Sequence, residues 1–443
     1  MQTHLLAIFG AACLFAQDAT IRVDVRQVLV PVVVTDHKGR HVSGLKAGDF
    51  QVFEDGVRQD IAAFSSDKAA SVDDLVALPA GQPAPTSGPR HTFVICIDTL
   101  HVTASSAARM RQALENLFET EKPASAQYVL IGIGRQLRVL QPATPNPAAI
   151  SVKVRSAAWQ NAVNGMEGAP LAADLANARK RMEDFCRRCG CGARTGQRNC
   201  ESEVDTLQQN LDQEAKQWAA PLEDLAGQFK SVVEELAKLP TGRTLILASD
   251  GFNLNARREF YAVASSYLPE RPQFKLDDAV QPAAFKDALR IAAARNIAVY
   301  TLDTRTAAVV PSNGGAGSMD ATSSGGPGAG SVDMLGTNRQ NPRSNRVNPT
   351  DGAPATRAIP RLEESASLRR AAEATGGEYF KDGDDFAKQL RSALADGREY
   401  YVLAYVPKNG ALDGKYRAIT VETADKKLSV RAKAGYWAEG AAQ

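Results

Sequence analysis

Two apolar runs that each close on a carboxylate constrain this chain more than any other feature. His91 to Asp98 reads HTFVICID, and Thr244 to Ala248 reads TLILA before Ser249-Asp250-Gly251. Neither run alternates apolar with polar residues, so each belongs to a strand covered on both faces. Helical stripes surround them: Met110, Leu114, Leu117 and Phe118; Phe229, Val232, Val233, Leu236 and Leu239; Leu289 and Ile291; Leu368, Ala371, Ala372 and Thr375; Phe386, Leu390 and Leu394. Shorter strands are expected at 128–133, 137–140, 297–302 and 378–380. Strands that alternate with helices pair in parallel, in a sheet with helices on both faces.

Both ends of the chain read differently. In 20–64, Ile21, Val23 and Val25 alternate with charged residues, Val28 to Thr35 is β-branched, and Glu54-Asp55-Gly56 is a hairpin signal. In 399–438, strands are expected at 400–406, 416–421 and 428–432. Neither segment has the apolar mass to be stable by itself. One β-sandwich built from both, with the α/β domain inserted between them, resolves this, because each segment then covers the other's apolar face. The intervening organisation is a polar linker at 65–90, an α/β domain over 91–305, a low-complexity loop at 306–360 and the end of the α/β domain at 361–396. A polar helical insertion at 155–228 interrupts the domain. Pro311 to Gly330 holds seven Gly, four Ser and two Pro, a composition that cannot offset its own ordering entropy.

Leu5 to Ala16 (LLAIFGAACLFA) is too short to span a bilayer, which takes ~20 residues. At the extreme N-terminus and followed by Gln17-Asp18, it reads as a signal peptide covering 1–16. A lipid anchor at Cys13 is the variant of that reading. No later segment is apolar enough to span a membrane. Charge is balanced, with 52 Lys plus Arg against 50 Asp plus Glu and a net +2, so nothing points to nucleic acid. No HExxH, GxSxG or GxxxxGK[ST] string is present, which removes the main support for several hydrolase and nucleotide-binding classes.

Ligands of open parallel sheets bind beyond the carboxyl ends of the strands. Asp98 and Asp250 stand there, where two carboxylates with nearby hydroxyls can hold a hard divalent cation. Structural roles compete: Asp98 as a helix cap, Asp250 as a turn residue. The order of strand ending in Asp98, helix, Thr144 after the third strand, and LILASDGFN at 245–253 resembles a von Willebrand factor type A domain. The strings VLVPVVVTDHKGRHVSGLKAGDFQVFEDG (28–56), ATGGEYF (374–380) and YYVLAYVP through RAKAGYWA (400–438) resemble the VWFA-related family of exported bacterial proteins. That resemblance implies a Rossmann-like domain with a metal-ion-dependent adhesion site for Mg²⁺, its ligands falling on Asp98, Thr144 and Asp250. Leu100 and Val102 stand where the family's two Ser ligands belong, so the expected site is degenerate and its Mg²⁺ binding weak or absent.

Cys186, Cys189, Cys191 and Cys200 cluster in the insertion. In an exported chain two disulfides are expected, with a zinc site as the alternative. Cys96, mid-strand, reads as a core residue. Arg179, Lys180, Arg181, Arg187, Arg188 and Arg194 read as a solvated helix face, and Tyr400, Tyr401, Tyr405, Tyr436 and Trp437 as strand core. The functional expectation is a non-catalytic protein-interaction or adhesion module, periplasmic or extracellular, with a protein ligand. The rival readings are a metal-dependent hydrolase using Asp98 and Asp250, and a structural accessory subunit of an envelope complex.

Overall fold

A computed structural model describes residues 27–65, 91–122, 126–157, 159, 168–191, 200–240, 242–252, 254–274, 282–305, 366–381 and 385–439. The expected signal peptide, Cys13, nearly all of the linker and the 306–360 loop lie outside these residues. In chain order the elements begin with β1 (Val28–Thr35), β2 (Phe50–Glu54), β3 (Val57–Gln59), β4 (Ile61–Ser65) and β5 (His91–Asp98). There follow α1 (Ala104–Thr120), β6 (Ala126–Ile133), β7 (Arg138–Thr144), α2 (Ala148–Arg155), α3 (Gly168–Cys189) and α4 (Glu201–Ala237). The α/β part continues with β8 (Gly242–Ser249), α5 (Ala256–Tyr267), α6 (Ala283–Ala294), β9 (Ile297–Asp303), α7 (Ala366–Thr375), β10 (Tyr379–Phe380) and α8 (Phe386–Asp396). Four strands close the chain: β11 (Tyr401–Tyr405), β12 (Tyr416–Thr423), β13 (Ser429–Ala432) and β14 (Gly435–Trp437).

Six strands form one sheet in the order β10-β9-β8-β5-β6-β7. All its pairings are parallel except β6 with β7. The central strand β5 is buried along its whole length, and its side chains divide by pleat. Phe93, Ile95 and Ile97 pack with α1, α2 and α8 on one face. Val94 and Cys96 pack with α3 to α7 on the other. The mixed α/β architecture with helices on both faces, read from the strand and helix patterns, is therefore present.

The insertion is not a separate unit. Its last helix and the Phe229–Leu236 stripe belong to one 37-residue helix, α4, about 55 Å long at 1.5 Å per residue. An eight-residue strand spans about 26 Å, so α4 is about twice as long as a strand of this sheet. The first half of α4 shares one apolar cluster with α3, through Val204, Leu207 and Leu211 on α4 and Met182 and Phe185 on α3. Pro221 sits buried in α4, where its missing N–H removes one rung of the helical ladder.

The strands from the two chain ends interleave. One four-stranded sheet runs β13-β1-β11-β4 and another β14-β12-β2-β3. Val30 pairs with Leu403 and Val52 with Val421. A single apolar cluster contains Val30, Val32, Phe50, Val52, Leu403, Tyr405, Ile419 and Tyr436, drawn from both sheets. Glu54 is buried within it, accepting hydrogen bonds from Tyr405 Oη at 2.7 Å and Tyr436 Oη at 3.0 Å. Burial first, and then the Glu54 bond, push the Tyr405 hydroxyl well above the usual phenol range.

Candidate functional site at the carboxyl edge of the sheet

Parallel pairing of β5 with β8 sets Ile97 opposite Ala248, so Asp98, Ser249 and Asp250 meet at one edge. Asp98 is fully buried. Its Oδ1 accepts the backbone N–H of Leu100 at 3.0 Å and of His101 at 3.1 Å. That is the local turn an Asp side chain stabilises by mimicking backbone, and it carries the chain from β5 toward α1. The other oxygen, Oδ2, pairs with His101 Nδ1 at 2.6 Å and accepts Ser249 Oγ–H at 2.7 Å. Four donors from its own chain surround this carboxylate.

Asp250 is engaged as well. Its Oδ2 accepts the N–H of Thr103, the N-cap of α1, at 2.8 Å, and Thr304 Oγ1 donates to its Oδ1. Thr304 N–H in turn donates to Ser249 O at 3.0 Å, and the Arg109 guanidinium donates to Thr304 O at 2.8 Å. A third strand-end carboxylate, Asp303 on β9, stands opposite Ser249 at the same edge. It forms a two-point pair with Arg305 at 2.8 and 2.6 Å and accepts Tyr379 Oη–H at 3.2 Å. Burial pushes the Asp303 carboxyl up, but the Arg305 and Tyr379 bonds outweigh it and leave it below the usual range.

Thr144 does not join this edge. It ends β7, which runs back antiparallel along β6, and it pairs with Tyr128, itself opposite Phe93. That is the amino edge of the parallel strands, so the expected ligand set is split between opposite ends of the sheet. Leu100 and Val102 are fully buried and pack into the cores on opposite faces. A divalent cation of the Mg²⁺ type needs about six oxygen ligands. Here two ligand positions are apolar core, one is across the sheet, and both Asp98 oxygens already face protein hydrogens. The residues present do not fit the ion.

Among the described residues, this edge sets no nucleophile against a base. The buried Asp98–His101 pair has the look of half a triad, but the Ser249 hydroxyl donates to the carboxylate rather than facing the imidazole as a nucleophile must. Where the chain leaves β8 for α5, a groove of about 610 Å³ is lined among others by Asp212, Lys216 and Glu223 of α4, Leu254 and Arg257, and Ala283 of α6. Arg257 lies over the Tyr261 ring at 4.6 Å, and Tyr261 Oη donates to Asp212 at 2.9 Å. The groove thus presents both signs of charge on a framed wall.

In the insertion, Cys186 is bonded to Cys191 and Cys189 to Cys200, with Cα separations of 4.9 and 6.0 Å, ordinary spacings for disulfides. Cys96 is a free, buried thiol, pushed up first by burial and then by Asp98. Three of the insertion's basic residues meet carboxylates: Arg181 pairs with Glu214 at 2.5 Å, Arg188 with Glu203 at 3.1 Å, and Arg187 with Asp184.

At the opposite edge lies a polar junction for which the sequence carries no local signal. His41 Nε2 meets Asp396 Oδ1 at 2.6 Å, Arg431 closes on the other Asp396 oxygen, and Arg431 also pairs with Glu378 at 3.2 Å. Lys433 Nζ donates to Ala293 O at 3.0 Å and Asn296 Oδ1 at 2.8 Å. These contacts tie β13 and the loop after β1 to the α/β layer. Beside them is a cavity of about 40 Å³ bordered by Pro31, His91, Arg243, Tyr300, Asp396 and Tyr400. Burial, then Arg398 and Arg243, push His91 down to about 3, so it stays neutral.

No family model matches the sequence, and no curated protein matches it. Among solved structures, the chain is similar to an aerotolerance-related membrane protein from Bacteroides fragilis at 9% identity and a TM-score of 0.30, covering 69% of this chain and 98% of that one. It is also similar to the human COPII-coat protein Sec24c at 7% identity and a TM-score of 0.30, covering 79% of this chain and 44% of that one. Likenesses this distant leave the chemistry of the edge to be argued from its own residues.

Proposed function

We propose that this chain is a non-catalytic protein-interaction module of the von Willebrand A type, its α/β domain mounted on a β-sandwich formed by the two four-stranded sheets. The observation that carries the reading is the engagement of Asp98 and Asp250. Both carboxylates hold α1 and the 249–251 turn in place, so the edge acts as a rigid frame rather than as a reacting centre. The groove beside it, with Lys216, Arg257, Asp212 and Glu223 on its walls, supplies the surface for a protein segment bearing both charges. Its adhesion site is degenerate, and partner capture proceeds without Mg²⁺. Two disulfides support an oxidising compartment outside the cytoplasm, as does the apolar Leu5–Ala16 segment. Among the described residues no helix is long and apolar enough to cross a membrane.

The test is capture of partners from periplasmic and outer-membrane extract by the immobilised chain. The expected result is a partner retained equally with and without EDTA, and lost when Lys216 and Arg257 are both changed to Glu. Retention abolished by EDTA overturns the metal-independent reading. Hydrolytic turnover by the purified chain that disappears in Asp98→Asn restores the enzyme.

A further inference from the structure

One stripe of α4 forms the long wall of the groove. Asp212, Lys216, Ala219 and Glu223 line it at steps of four, three and four residues, the interval that keeps side chains on one face of an α-helix. Lys216, Ala219 and Glu223 are exposed. A second helix laid along α4 covers such a stripe, whereas a strand, with its period of two, does not match it.

The charges on this stripe are of two kinds. Asp212 is engaged within the chain: Arg257 Nε lies 3.3 Å from its carboxylate, and Tyr261 Oη donates to it at 2.9 Å. Lys216 and Glu223 close no ion pair among the described residues. They have opposite signs and stand seven residues apart, about 10.5 Å along the helix axis. A face with one cation and one anion at a fixed spacing is matched by the same face turned end for end. The midpoint of that spacing falls between Ala219 and Ala220, both exposed. A twofold axis there sets Lys216 against Glu223 of a second copy, and Glu223 against its Lys216. It also puts small side chains at the crossing, where helix axes can approach to about 8 Å. Gly227, one turn beyond Glu223 on the same face, adds no bulk, and a Cβ built there meets nothing within 4 Å.

We propose that this face of α4 is a self-association surface, on which two copies of the chain pair antiparallel through α4 about a twofold axis between Ala219 and Ala220. The inference rests on reading the groove as a protein-binding surface, and it names the occupant as the α4 helix of a second copy. From Lys216 to Gly227 the contact spans about three helical turns. That is well short of what a permanent dimer buries, so the dimer is weak and forms as concentration rises. Both inter-copy ion pairs lie at the solvent boundary, so salt weakens it further.

The experiment measures the mass of the full chain by sedimentation equilibrium over a concentration series. The expected result is a monomer–dimer equilibrium that shifts toward monomer as salt is raised. Lys216→Glu sets two carboxylates against each other at both pairs, and Glu223→Lys sets two ammonium groups, so each variant weakens the dimer at least about tenfold. Mixed in equal amounts, the two variants pair with each other, because every facing charge is again opposite. The double variant Lys216→Glu with Glu223→Lys regains the homodimer for the same reason. If a charge variant loses its helix content by circular dichroism, Ala220→Cys treated with a short bismaleimide decides instead, and a covalent dimer is expected. A single-chain mass at every concentration, a dimer indifferent to Lys216→Glu, folded single variants that fail to pair when mixed, or an Ala220→Cys chain that does not cross-link each overturn the proposal. A chain that stays monomeric yet captures a partner from extract through Lys216 and Arg257 overturns this inference alone and leaves the groove a protein-binding surface.

Discussion

Replacing Asp98 with Ala separates a structural carboxylate from a metal ligand. In the structure the side chain is fully buried and satisfies four donors: two backbone N–H groups, the His101 ring and the Ser249 hydroxyl. Truncation strands all four. Four buried donors left without their acceptor at about 1 kcal/mol each cost about 4 kcal/mol. With a urea slope of ~3 kcal/mol/M, the midpoint falls by about 1.3 M. Tryptophan fluorescence reads the transition, since Trp159 and Trp218 are both buried in the α/β layer. Asp98→Asn, which keeps the shape and one acceptor oxygen, loses less. A carboxylate that mainly held Mg²⁺ behaves otherwise: without metal its removal costs little, and Mg²⁺ stabilises the wild type by mass action. An unchanged midpoint for Asp98→Ala in EDTA, or a wild-type midpoint that rises with Mg²⁺ while the variant's does not, refutes the reasoning.

Three other outcomes follow from the same contacts. The Asp396 bond raises the His41 pKa above 6.5 despite the opposing effect of burial, so its stabilisation is complete below pH 6.5 and is lost as pH rises through the folded value. Asp396 is pushed up by burial, but bonds from His41 and Arg431 outweigh that and leave it below 3.8, so its share is lost as pH falls through that lowered value. His41→Gln therefore flattens the decline in melting temperature above pH 6.5 and leaves the acid limb in place; an unaltered alkaline decline removes His41 from the account. Tyr405→Phe takes one of two donors from buried Glu54 and lowers unfolding free energy by about 1.5–3 kcal/mol, measured by urea titration, where a loss under about 0.5 kcal/mol counts against an important bond. A Cβ on Gly377 falls 2.0 Å from Val299 O, so Gly377→Ala must displace β9 and costs about 1–3 kcal/mol or more; a melting temperature equal to wild type contradicts the packing described.

Much of the α/β layer is legible because its signals are local. HTFVICID and TLILA are long enough and apolar enough to name β5 and β8, and both pair with neighbours on each side. Thr144 was misplaced because sequence order cannot show that the strand after Ile133 doubles back; the antiparallel β6–β7 pairing carries it to the far edge. His101 carries a local signal, an Asp-x-x-His step at a strand-to-helix junction, though spacing alone does not show that the ring turns back onto the Asp98 carboxylate. His41 and Asp396 had none. Their contact joins residues at opposite ends of the sequence, and no local pattern encodes such a meeting.

The place of β1 bears on how the chain reaches this state. It lies between β11 and β13 in its sheet, and both neighbours belong to the closing stretch of the sequence. A ribosome therefore makes β1 well before either partner. Until they emerge, VLVPVVVT has two bare edges, the kind of strand that recruits other chains. Pro31 within it lacks a backbone donor, which weakens such recruitment at that point. A chain cut short anywhere before β11 keeps those edges open however well its α/β layer folds. Synthesis as far as β13 is thus written into the fold as a condition for concealing β1, and a chaperone or protease that reads exposed strands can sort chains that carry both partners from chains that lack them.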